Sequence, residues 1–118
     1  MKRIVVTALL SSALTMLAIF QLGGAPLLSK IVLQNARVKV SEITYPAGAI
    51  RPHSIRPADE LIVFVDDCRY ERTDPKTGEK TIRQRKAGDV IFHSKGEDAP
   101  VLRSLNSKPY REIVVELK

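Results

Sequence analysis

At 118 residues the chain holds one small domain at most. Its 19 basic and 13 acidic residues leave a net charge of +6, or +4 with Lys2 and Arg3 set aside, too small an excess to imply nucleic acid. A single cysteine, Cys68, excludes an intramolecular disulfide.

Lys2 and Arg3 precede 26 residues without a charge, 4–29. A basic start, an apolar run and then Gly23, Gly24 and Ala25 form the layout of a secretory signal. A cut after Ala25 puts small residues at both recognition positions, with Pro26 following it. The same run is long enough to cross a bilayer, where about 20 residues suffice, with the two basic residues held in the cytoplasm. Residues 1–25 are therefore expected to be a signal peptide or membrane anchor forming an apolar helix. Membrane contact runs through residues 4–28 if the segment stays uncleaved. Both readings put the domain, residues 26–118, on the far side of the membrane. It is then exported (periplasmic or extracellular) or anchored to the inner membrane facing outward. The 19 basic residues less Lys2 and Arg3 leave 17 against 13 acidic ones in the domain.

After the leader the chain breaks into short apolar or alternating runs separated by turns. Residues 27–35 fit the end of a span, a short helix or a first strand. Residues 37–45, RVKVSEITY, alternate, but Val38 and Val40 fall on the opposite parity to Ile43 and Tyr45. A bulge near Ser41 or Glu42 accounts for that. Residues 61–65, LIVFV, read as a buried strand. Residues 69–73 and 80–86 flank the turn DPKTGE and form a polar hairpin. Its basic residues, Arg69, Arg72, Lys76, Lys80, Arg83, Arg85 and Lys86, are interleaved with Glu71, Asp74 and Glu79 and read as a solvated face. Strands over 90–93, 101–105 and 110–117 follow. Seven short strands spaced about ten residues apart predict a sandwich or barrel. Cys68 reads as a half-buried, inert residue, with a free thiol or an inter-chain pair as the exported alternatives.

Two segments, GAIRPHSIRPADE over 48–60 and GDVIFHSKGEDAPVLRS over 88–104, resemble the two signature motifs of the cupins. RVKVSEITYPAGA resembles their opening strand and YREIVVELK their closing one. From Asn35 to Lys118 the chain is similar to small single-domain bacterial cupins with degenerate metal-binding motifs. The resemblance implies an all-β, cupin-like barrel (a double-stranded β-helix or jelly roll) and often a dimer. Catalytic cupins typically hold one metal ion with three histidines and a carboxylate. The first motif here offers His53, Ile55 and Glu60 at the ligand positions. The second offers Pro100 and Ser104, or Leu102 on the other alignment. Only His53 and Glu60 can ligate, and His93 is the other histidine, at the end of a barrel strand.

The resemblance therefore implies a non-catalytic barrel with no cofactor and no metal, His53, Glu60 and His93 being weak metal candidates. It would bind a small molecule or a partner at a mouth formed by His53, Ile55 and Glu60. The alternative is a metal-dependent oxygenase or isomerase that gathers His53, Glu60 and His93 on one ion. The everyday role for His53 is a hydrogen-bonded residue of the mouth. For Glu60 it is an ion pair with Arg51 or Arg56, because an unpaired buried carboxylate is costly. Partners are then a small ligand and a second copy, with no nucleic acid.

Overall fold

A computed structural model describes residues 25–118. The leader, residues 1–24, and the helix expected there lie outside the described residues. Everything described is β-structure and turn.

The strands are β1 (Leu28–Gln34), β2 (Val38–Tyr45), β3 (Ile50–Arg51), β4 (Ser54–Ile55), β5 (Asp59–Phe64), β6 (Cys68–Thr73), β7 (Lys80–Arg85), β8 (Val90–His93), β9 (Asp98–Ala99), β10 (Val101–Ser104) and β11 (Tyr110–Leu117). All seven strands expected from the alternation are present, with ends moved by no more than two residues. The ambiguous segment 27–35 is a strand, β1. β3, β4 and β9 are two-residue strands beside Pro52 and Pro100, too short to leave a periodic pattern.

One sheet has the order β1-β2-β11-β5-β8 and a second β3-β10-β6-β7, while β4 and β9 form a small ribbon. Every pairing is antiparallel. The core comes from both large sheets: Tyr45, Ile62, Phe64 and Tyr110 from the first, Cys68, Tyr70 and Leu102 from the second. It is aromatic at its centre. Tyr45 stacks on Tyr110 with ring centroids 4.7 Å apart, and Phe64 lies 6.5 Å from Tyr70.

The expected bulge falls on the neighbouring strand. β2 pairs with β11 without interruption, whereas β1 shifts register between Ile31 and Leu33, opposite Ser41 and Val40. The parity of β2 never changes. Ser41 and Tyr45 are buried on the inner side, while Val38 and Val40 face outward. Both faces of this sheet carry apolar residues. One outward row crosses all five strands: Leu33, Val40, Val115, Leu61 and Phe92. The run at 61–65 is likewise buried on one side only, through Ile62 and Phe64.

Candidate functional site: an arginine-lined barrel interior

Two tight turns aim the arginines inward. The chain leaves β2 through a turn closed by the Ala49 N–H donating to the Pro46 carbonyl, 3.0 Å, with Gly48 at φ +72°. That left-handed conformation favours glycine. β3 follows, and Arg51 lies opposite the buried Leu102 of β10, so its side chain enters the barrel. Arg51 Nη2 donates to the Pro100 carbonyl at 2.7 Å. Arg56 sits just past β4. Its backbone is clamped by two hydrogen bonds, its N–H to the Glu97 carbonyl and its carbonyl from the Gly96 N–H, both 2.9 Å. Gly96, at φ +87°, makes that second bond possible. The Arg56 side chain is buried and forms an ion pair with Glu60 through Nη1. Of the two partners open to Glu60 on sequence, the fold selects Arg56.

Glu112 of β11 completes the set. It lies between Ile43 of β2 and Phe64 of β5 and is buried. Burial raises its pKa to about 7, although Arg51 and Arg56 beside it pull the other way. Burial also pushes the Tyr45 and Tyr110 phenols well above their usual range. Among the described residues three buried side-chain polar atoms lack a partner: Arg51 Nε, Arg56 Nε and the Tyr110 hydroxyl. Such orphans are rare, because each forfeits its solvation for nothing in return.

Arg51, Arg56, Ile62 and Glu112 form a wall between two cavities. The larger, about 170 Å³, is also lined by Leu27, Ile43, Tyr45, Ser54, Glu60 and Val114. The smaller, about 50 Å³, lies toward Tyr70, Arg72, Arg85 and His93. Larger hollows flank the hairpin turn at Asp74 and the chain end at Lys118, but none of the three orphaned atoms belongs to a residue lining either.

The residues expected to share a mouth are divided between surface and interior. His53 is exposed and its Nε2 lies 2.8 Å from Asp98 Oδ1. Ile55 is 56% exposed and lines neither interior cavity. Glu60 alone points inward. His93, opposite Glu60 in the ladder, faces the smaller cavity and is hydrogen-bonded to Glu97 at 3.1 Å. Burial and nearby Arg56 lower the His93 pKa, partly offset by Glu97. The gathering of His53, Glu60 and His93 on one ion does not occur, and among the described residues no three His, Cys, Asp or Glu side chains are placed to hold a metal. The donor chemistry agrees: the orphaned interior groups next to Glu60 are guanidinium N–H donors. They repel a cation and have no lone pair to offer it. The residues present do not fit the metal of catalytic cupins. Cys68 is buried, and desolvation pushes its thiol up to about 12, which disfavours the thiolate.

No protein-family model and no curated protein matches the sequence. Solved structures do match. A cupin domain from Bordetella pertussis Tohama I superposes with a TM-score of 0.71 at 17% identity, over 79% of this chain and 94% of that one. The fold is the cupin barrel. A cupin superfamily protein from Desulfitobacterium hafniense DCB-2 gives 0.59 at 15%, over 80% and 79%. The polyketide cyclase RemF from Streptomyces resistomycificus gives 0.60 at 16%, over 77% and 64%. At such identities the likeness lies in the backbone path. A cupin barrel serves many chemistries, so function has to be argued from the interior itself.

Arg51, Arg56 and Glu112 went unnoticed as a site on sequence. The local signal was charge in segments that also carry core residues: Arg51 and Arg56 flank the first motif's histidine, and Glu112 stands two residues after the buried Tyr110 in YREIVVEL.

Proposed function

We propose that this cupin barrel is a non-catalytic binding module, exported or tethered on the outer side of the membrane, that takes a small molecule in its interior. The observation that carries the reading is the pair of arginines, Arg56 buried and Arg51 half-buried, that lines both interior cavities together with Glu112. A pocket with a few convergent polar groups and apolar walls is the usual form of a small-molecule site. The leader supports the location: Lys2 and Arg3, then 26 uncharged residues. A homodimer belongs to the same reading, supported by the outward apolar row from Leu33 to Phe92. A sheet that is apolar on both faces is normally covered on both.

The test is the metal content of the full chain, purified without chelators or a histidine tag, alongside His53→Ala and Glu60→Gln. The expected result is a folded protein without stoichiometric transition metal, even after exposure to Fe, Mn, Ni, Cu and Zn. One equivalent of metal that is lost in either variant overturns the non-catalytic reading. For location, alkaline phosphatase fused after Lys118 is expected to be active in a bacterial host. An inactive, stable fusion overturns the export.

A further inference from the structure

The inner face of the four-stranded sheet carries arginines without carboxylates to match them. Arg51 and Arg72 lie on either side of the buried Leu102 in the ladder, and Arg85 lies opposite the buried Cys68, so all three point into the barrel. With Arg56 they line the smaller cavity. Arg56 is paired with Glu60, but no ion pair among the described residues joins a carboxylate to Arg51, Arg72 or Arg85. Arg51 already donates to the Pro100 carbonyl, and its Nε is sealed off. Arg72 and Arg85 are half-buried, so their donors can be reached. Arg85 is held through its Nε, which donates to the Tyr70 hydroxyl at 3.3 Å, and lies 5.8 Å from the centre of the Phe64 ring. That leaves its terminal nitrogens for a ligand. We propose that the smaller cavity binds a phosphate-type oxyanion, free or as a monoester, on the guanidinium donors of Arg72 and Arg85, with Arg51 adding a third positive charge; this step rests on the reading of the barrel as a binding module.

Charge and size select the class. Like charges gathered in a cleft with apolar walls focus their field on a counter-ion. The walls here are Ile62, Phe64, Ile91 and Leu102. Arg51, Arg72 and Arg85 bring three positive charges. Arg56 is neutralised by Glu60, and His93, held below its ordinary range, is neutral at pH 7. Glu112, the carboxylate of the lining, opposes them with one negative charge at most. The excess of two or three matches a dianion better than a monoanion. Guanidinium forks also meet phosphate oxygens two at a time. A void of about 10–15 Å³ holds one water, so the 50 Å³ here takes about four oxygens, the number in one tetrahedral oxyanion. The hollow beside the hairpin turn, about 280 Å³, shares Arg72 and Pro100 with this cavity and leaves room for the organic part of a monoester. Its lining includes Asp74, Glu79 and Asp98. Asp74 accepts from the Lys76 and Thr77 N–H groups of its own turn, and Asp98 meets His53, so both are engaged away from Arg72.

The experiment is calorimetric titration of the full chain, in a neutral detergent at pH 7 and constant ionic strength in chloride, with sulfate, inorganic phosphate, glycerol 3-phosphate and acetate. Sulfate and phosphate are expected to bind saturably at one site, and acetate about tenfold more weakly or worse. Tighter binding of glycerol 3-phosphate than of phosphate supports an esterified source, and equal or weaker binding the free ion. Arg72→Gln and Arg85→Gln should each weaken the dianions about tenfold, the loss of one charged hydrogen-bonding group. Arg103→Gln removes the same charge from an exposed position on the same sheet, between the buried Leu102 and Ser104, and should change nothing. Failure of all three dianions up to on the order of 10 mM overturns the proposal. Binding undiminished in both Arg72→Gln and Arg85→Gln overturns it as well, as does equal weakening in Arg103→Gln, the mark of general charge attraction. Acetate binding as tightly as sulfate overturns the dianion class. A folded, metal-free protein that binds none of the anions overturns this step alone and leaves the non-catalytic barrel. A stoichiometric transition metal overturns both.

Discussion

Both faces of the five-stranded sheet carry apolar residues, but only the inner face, beside the core of Ile62 and Phe64, also buries carboxylates. Inward it presents Glu60, His93, Glu112, Tyr45 and Tyr110, and outward Leu33, Val40, Val115, Leu61 and Phe92. Of the outward row, Leu33 and Phe92 are each 53% exposed, whereas Glu60 and Glu112 are each 6% exposed. Burying a charge costs far more than exposing a valine, so the inner face persists only where its groups satisfy one another. They do so in part, through Arg56–Glu60 and the Arg51–Pro100 bond, and three polar atoms remain unmatched. The outer face has the opposite problem, apolar surface in need of cover. A candidate site and an exposed apolar row are thus the two sides of one sheet, separated by the thickness of a strand.

The sharpest way to break the inner face is Glu60→Ala, which strands the Arg56 charge. A loss of about 3–5 kcal/mol is expected in urea unfolding, and pairing it with Arg56→Met should recover most of that. Equal destabilisation of the single and double variants would mean that the ion pair is not the source of the cost.

Next is pH. Glu112 has its folded pKa raised from 4.5 to about 7, so the folded state holds the proton more tightly than the unfolded state does. Its contribution to stability is fully present below about pH 4.5 and is lost as pH rises to about 7, on the order of 3 kcal/mol. Glu112→Gln should flatten that slope. An unchanged slope in the variant assigns it to another group. The Asp66 carboxyl, held low by its hydrogen bonds from Arg111, works with opposite sign at lower pH.

A smaller effect tests the orphaned hydroxyl. Tyr110→Phe keeps the stack on Tyr45 and removes an unpaired buried group, so stability should rise by about 1 kcal/mol. A clear loss would show that the hydroxyl has a partner, such as a buried water.

The mildest change to the fold probes the other face. Phe92→Lys, at an exposed outward position, should alter monomer stability by less than about 0.5 kcal/mol yet turn a dimer into a monomer by light scattering. A protein that is monomeric before the substitution removes the case for self-association through this face.

Much of the strand layout was legible. Residues 37–45, 90–93 and 110–117 have period-two or continuous β-branched character, and the DPKTGE turn fixes the hairpin from β6 to β7. The two-residue strands were not, because two residues carry no period. Of the candidate site, Glu60 was the residue legible in the sequence. His53 and Ile55 were singled out because they occupy motif positions, but the chain between Pro52 and Pro57 turns them outward, and His53 meets Asp98 instead. The bulge was displaced for a related reason. A bulge in β2 is needed only if Val38 and Val40 share a face with Ile43 and Tyr45, whereas β2 keeps strict alternation and both of its faces are apolar.

The sequence by itself determined the seven longer strands and the DPKTGE hairpin turn, since these depend on neighbours in the chain. Only the tertiary structure decided which face is inside. Glu112 is far along the chain from Arg51 and Arg56, and the three meet because β3, the end of β4 and β11 close around one interior. Glu112 rises toward pH 7 because that closure removes its water.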